Sequence, residues 1–119
     1  MPAARKLQLV FSEPPTGVSD EEFNRWYDAH LDEILAVPGY VSARRYKLDA
    51  AVTYGDAQWS YLTVYEVEGG FDELTRALEA ASLGTKDSYV ELKEVDASGP
   101  ELPAWWDGVR FASWNCTPL

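Results

Sequence analysis

His30 is the one histidine of a 119-residue chain, and its neighbours make it the first candidate for chemistry. It comes four residues after Trp26, three after Tyr27 and four before Ile34, so on a helix it projects from the middle of an apolar stripe. Imidazole, with an unperturbed pKa of about 6.5, takes or gives a proton near neutral pH and suits general acid–base work. A histidine pressed against a core still needs partners for its ring nitrogens, because an unpaired buried polar group costs about 1–3 kcal/mol. Two readings of His30 follow. It is a core histidine bonded to a tyrosine or a carbonyl, or a general acid or base facing a pocket between helix and sheet. In the second reading its expected partner is a tyrosine hydroxyl from the sheet, reached directly or through one water.

The aromatic residues around it suggest what such a pocket would hold. Five Trp and seven Tyr exceed what a minimal core requires. Tyr46, Trp59, Tyr61 and Tyr65 fall on segments of strand character, where rings can stack on a ligand and hydroxyls can orient it, although aromatic residues are also common in strands for packing alone. Tyr46 is placed with His30 as the catalytic pair, with Tyr61 and Tyr65 as alternative partners. Trp26, Tyr27, Trp59, Tyr61, Tyr65 and Trp106 are the candidate substrate contacts. Trp105-Trp106, in a Pro-flanked loop, suits a lid, a dimer contact or a cap on the core. Arg44 and Arg45 point to opposite faces of one strand, and one of them is expected to pair with Glu66, a ligand carboxylate or an exposed partner.

Other chemistries lack residues. One His and the single Cys116 supply neither a zinc set nor an intramolecular disulfide, so no metal and no cofactor are expected. Cys116 has no base beside it in sequence and is not read as a nucleophile. Asp20-Glu21-Glu22 and Asp72-Glu73 read as charges that favour helix N-termini. Twenty acidic against ten basic residues give a formal charge of -10, which repels phosphate backbones and anionic headgroups. No nucleic acid and no membrane partner is expected. The apolar run Leu7 to Phe11 is too short for a signal peptide, and the chain reads as cytoplasmic.

The elements that must position these residues follow from periodicity. Lys6 to Ser12 alternates as a first strand, with Leu7, Leu9 and Phe11 on one side. Pro14-Pro15 breaks it, and Ser19-x-x-Glu22 caps a helix carrying Phe23, Trp26, Tyr27, Leu31, Ile34 and Leu35 on one face, with Asp28, Asp32 and Glu33 off that stripe. After Pro38-Gly39, Tyr40 to Leu48 forms a second strand, Asp49 to Ala57 a hairpin connection, and Trp59 to Val67 a third strand that places Trp59, Tyr61, Thr63, Tyr65 and Val67 on one face. Phe71, Leu74, Ala77, Leu78 and Ala81 mark a second helix running towards Gly84, and Val109 to Asn115 a last strand. Between them Tyr89 to Val95 fits either a short strand or a helical turn.

The order βαββαβ implies a single α+β domain over residues 1–119, ferredoxin-like, with a four-stranded antiparallel sheet and two helices on one face. The other face would be left bare, and the economical cover is a second copy about a two-fold axis, hence a homodimer.

Glu22-Phe23-Asn24-Arg25-Trp26-Tyr27-Asp28-Ala29-His30-Leu31, continuing through Leu35-Ala36-Val37-Pro38-Gly39-Tyr40-Val41-Ser42-Ala43-Arg44-Arg45-Tyr46, resembles the dimeric α/β barrel superfamily, and most closely its EthD-like members. Leu9-Val10-Phe11-Ser12 before the Pro-rich turn agrees, whereas the segment after Gly84 matches only in general plan. The resemblance implies a ligand cavity between sheet and helices of each subunit, where His30 points. It also implies a range of activities: cofactor-free monooxygenases, isomerases, polyketide cyclases and haem-degrading enzymes. The functions in contention are thus an enzyme (isomerase, cyclase, lyase or monooxygenase type) moving a proton on an aromatic or polyketide-like molecule, a non-catalytic small-molecule binding or accessory protein, and a haem-binding protein with His30 as axial ligand.

Overall fold

β1 (Lys6–Glu13) lies in the interior of a four-stranded sheet, because both of its edges are paired: with β3 (Tyr61–Val67) on one side and β4 (Arg110–Cys116) on the other. β2 (Tyr40–Lys47) pairs with β3 to complete the order β2-β3-β1-β4, every neighbour antiparallel. The structure, a computed structural model, describes residues 5–49, 54–55 and 59–119. Most of the expected connection from Asp49 to Ala57 lies outside the described residues.

Alternation decides which side chains meet the helices. Tyr61, Thr63, Tyr65 and Val67 of β3 are all buried, with Ser12, Val10 and Gln8 of β1 in register beside them. The opposite face carries Leu7, Leu9, Phe11, Leu62, Val64, Tyr46 and Trp114, and Trp114 is 64% and Tyr46 44% exposed. At Tyr40 to Ser42 the β2–β3 register shifts, so Tyr40 turns into the core while the neighbouring Val41 stays exposed.

α1 (Asp20–Leu35) begins where expected: Ser19 Oγ accepts the backbone N–H of Glu22 at 3.1 Å. Phe23, Trp26, Tyr27 and Ile34 are buried from its apolar stripe, but Leu35 is 37% exposed and is no core residue. α2 (Phe71–Ala80) buries Leu74 and ends before Gly84. The segment open between strand and helical turn is a third helix, α3 (Lys86–Val95), started by Thr85 and Ser88, whose side chains each bond the other's backbone N–H. The helices are therefore three rather than two. The core divides into a cluster around Phe23, Trp26, Tyr27, Tyr61, Tyr89, Trp106 and Val109, and a second around Ile34, Val37, Tyr40, Tyr65, Val67 and Leu74.

The strand before Val67 starts at Tyr61, two residues later than its alternation suggests. A bend at Ser60, whose N–H donates to the Glu13 carboxylate at 2.7 Å, separates Trp59 from the strand's phase. The Trp59 ring consequently packs on Phe11, centroids 6.2 Å apart, and under Arg110, not beside Tyr61. No helix among the described residues is long and apolar enough to cross a membrane.

Candidate active site

A cavity of about 250 Å³ opens between the helix-facing side of the sheet and the three helices. Gln8, Val10, Tyr65, Phe111 and Ser113 form its sheet wall; Tyr27, His30 and Ile34 come from α1; Leu83 to Lys86, Tyr89 and Trp106 close the remaining side. No Asp or Glu is among its lining residues, although the protein is strongly acidic.

The His30 ring is held by contacts on several sides. Trp26 stacks on it with centroids 4.8 Å apart and planes 13° from parallel, while Tyr27 and Tyr89 meet it edge-on at 5.8 and 5.3 Å. Such pairs contribute about 0.5–1.5 kcal/mol each beyond area burial and fix the ring plane. The His30 side chain keeps 12% of its surface accessible.

Its hydrogen-bond partner is a carboxylate. His30 Nδ1 lies 3.1 Å from Glu33 Oε1, and the same oxygen accepts the Tyr89 hydroxyl at 2.5 Å. Lys93 Nζ donates to Glu33 Oε2 at 2.8 Å and to the Ser98 carbonyl at 2.8 Å. Burial pushes the Glu33 carboxyl up, but hydrogen bonds from His30, Lys93 and Tyr89 outweigh it and hold the group down at about 2. The Tyr89 phenol is pushed up, first by burial and then by the bond to Glu33, so it stays a donor. The helical spacing places Glu33 off the buried stripe. Instead it turns inwards against α3, its side chain 17% exposed. The signal available was its i,i+3 spacing from His30, at which helical side chains meet.

The remaining site residues divide. Tyr27, Tyr65 and Trp106 line the cavity with His30, whereas Trp26 backs the imidazole and ties α1 to the loop that follows α3 through its Nε1–H to the Glu101 carbonyl at 3.1 Å. Tyr61 faces the helices, yet its hydroxyl donates to Asp20 at 2.5 Å and it is not a lining residue. Trp59 and Tyr46 stand on the far side of the sheet: Tyr46 is in register with Leu62, the Arg44 guanidinium 5.6 Å from its ring. Within one subunit Tyr46 therefore cannot serve His30, because a strand places alternate residues on opposite faces and Tyr46 follows the inward-facing Arg45. The tyrosine joined to His30, through Glu33, is Tyr89 of α3 and not one from the sheet.

Arg45 is the inward member of its pair. Its guanidinium sits 4.3 Å from the Tyr27 ring centroid and 5.2 Å from that of Tyr61, with Asp28 at 3.4 Å. Glu66, one expected partner, bonds Ser42 and pairs with Arg5 instead. Burial raises the Tyr27 and Tyr65 phenols, and it carries Tyr40, whose hydroxyl donates to Gln8 at 2.6 Å, to about 12. The cavity tyrosines are therefore neutral donors at cellular pH. Among the described residues no three His, Cys, Asp or Glu side chains gather to hold a metal ion.

Comparison with known proteins places the architecture. The chain has the ferredoxin-like fold. A "putative monooxygenase" from Shewanella loihica PV-4 superposes with a TM-score of 0.54 over 100% of this chain and 98% of its own, at 12% identity. A dimeric ferredoxin-like protein of unknown function from Thermobifida fusca YX superposes with a TM-score of 0.50 over 92% of this chain and 88% of its own, at 10% identity. No known family profile matches the sequence, and no curated protein sequence matches it.

Proposed function

We propose that this chain is a cofactor-independent enzyme acting on a small aromatic or polyketide-like molecule, in the manner of an isomerase, cyclase, lyase or monooxygenase, with His30 transferring the proton. The observation that carries the proposal is that its one imidazole lines an aromatic cavity while being braced by Trp26, Tyr89 and Glu33. A group fixed in orientation next to a ligand space is what proton transfer requires. The monooxygenase description of the Shewanella protein agrees with small-molecule chemistry in this fold. The likeness of Glu22 to Tyr46 to EthD-like dimeric α/β barrel proteins points the same way. A homodimer with the apolar sheet faces apposed belongs to this reading, supported by Trp114 and Tyr46 standing exposed there and by the dimeric Thermobifida protein.

The cavity volume of about 250 Å³ is at the small end of ligand sites and suits one or two rings better than a haem macrocycle. A binding role without catalysis uses the same walls. The two are separated with 2-tetralone, a two-ring ketone with acidic C–H bonds, incubated with the protein in deuterium oxide. Wild-type protein is expected to accelerate deuterium uptake, and His30→Ala to lose about 10²–10⁴-fold of that rate while tryptophan quenching shows affinity changed only modestly. Bound ketone with no acceleration would leave the cavity a binding site.

A further inference from the structure

We infer that Glu33 is a positioning residue that locks His30 in its Nδ1–H tautomer, so that the atom offered to the cavity is the bare Nε2 lone pair and the site takes a proton from its ligand before giving one back. The inference rests on the acid–base reading above and deepens it. It selects a ligand that arrives as a weak acid: a carbon acid next to a carbonyl, or a phenol.

An ionised carboxylate has only acceptor sites, so the ring nitrogen 3.1 Å from Glu33 Oε1 must be the donor. Glu33 is kept ionised by two further donors, Tyr89 on one oxygen and Lys93 on the other. With Nδ1 carrying the proton, a neutral imidazole has its lone pair on Nε2, and the ring's hydrogen bond to Glu33 is made at Nδ1. Trp26 stacked on one face and Tyr89 at the edge hold the ring plane and oppose the flip that would put Cδ2 in the place of Nδ1 and break the bond to Glu33. In the reaction a ligand C–H or O–H bond breaks, its electron pair remains on the ligand as enolate or phenolate, and an N–H bond forms at Nε2. The imidazolium charge then falls beside the Glu33 carboxylate, which needs no proton of its own, and the same N–H returns the proton at the new position. Because both auxiliary donors to Glu33 come from α3, that helix completes the site although it supplies neither the base nor the carboxylate.

A single histidine makes the test direct. Long-range ¹H–¹⁵N correlation spectra of ¹⁵N-labelled protein at alkaline pH, where the ring is neutral, read the tautomer without a ligand. Wild type is expected to show a protonated Nδ1 and a bare Nε2, and Glu33→Ala to shift towards the Nε2–H form that free imidazoles prefer. With 2-tetralone, Glu33→Ala is expected to lower kcat roughly tenfold or more with KM little changed. A wild-type ring protonated at Nε2 would overturn the inference, whatever the variants do, and so would a Glu33→Ala protein whose tautomer is unmoved. Failure of the acid–base reading looks different: the tautomer is as expected, but His30→Ala exchanges the ketone as fast as wild type.

Discussion

Trp26 and His30 lie face to face, one turn apart on α1, with centroids separated by 4.8 Å. The indole thereby does two jobs, since its N–H also holds the Glu101 carbonyl at 3.1 Å while only 8% of the residue is exposed. Trp26→Ala should cost about 3–5 kcal/mol of stability, as large aromatic deletions in cores do. Trp26→Phe should cost less, because it keeps a ring near His30 and gives up the bond to Glu101. Urea denaturation of both variants checks the ordering, and equal losses would mean that the ring itself contributes nothing beyond its hydrogen bond.

Glu33 should shape the acid limb of stability. Its carboxyl is held at about 2 against an ordinary 4.5. A depressed folded-state value means that the stabilisation is fully present above the unfolded value and is lost as pH falls through the folded one. Wild type should therefore weaken progressively from about pH 5 down to about pH 2. Glu33→Gln cannot titrate there, so its urea midpoint should fall less between pH 6 and pH 3 than that of wild type. Parallel slopes would show that the carboxylate is not tied to the folded state as the distances indicate.

Much of this arrangement was legible in the sequence, for reasons that particular residues make plain. The alternation of Tyr61 to Val67 and the Ser19 cap survive because a buried face and an orphan N–H each demand one kind of residue in one place. α3 was harder to read because only Tyr89 is buried within it, and its capping partner at Ser88 is a serine where Glu or Gln is the usual signal. Trp59 departs from its expected face because a period of two does not carry across the bend at Ser60. Glu33 is hard to recognise in the sequence because a charged residue beside an apolar stripe reads as solvated, and the α3 donors that draw it inwards lie 56 and 60 residues further on.

The uncovered sheet face gives a prediction about assembly. Across it, Val64, Leu9 and Trp114 stand in one register row on three adjacent strands. Leu9→Glu introduces a charge at the centre of that row and should abolish the proposed dimer. Sedimentation velocity at micromolar concentration is the check, and a variant that sediments as wild type would place the interface elsewhere.

Two glycines with the same backbone sign should behave differently. Gly39 has φ +101, and a Cβ there would come within 2.9 Å of Leu74 Cδ1 and 3.3 Å of the Glu68 carbonyl; Gly17 has φ +94 and nothing within 4 Å. Gly17→Ala should cost about 1–2 kcal/mol for the left-handed conformation alone. Gly39→Ala should cost more, because Leu74 is a buried member of the second core cluster and must move. Thermal unfolding of the pair measures the difference, and equal costs would mean that Leu74 yields freely.

β1 is paired along both edges, and the far edge sets a condition on synthesis. Its second partner, β4, places Cys116 opposite Leu7 and Arg110 opposite Glu13, so the first strand made is matched with the last. A ribosome releasing the chain from its N-terminus would present β1 with one edge open until residue 116 had cleared the exit tunnel. Until then the β4-facing edge of β1 offers unpaired backbone N–H and C=O groups beside Leu7, Leu9 and Phe11, and an open strand edge of that kind invites pairing with another chain.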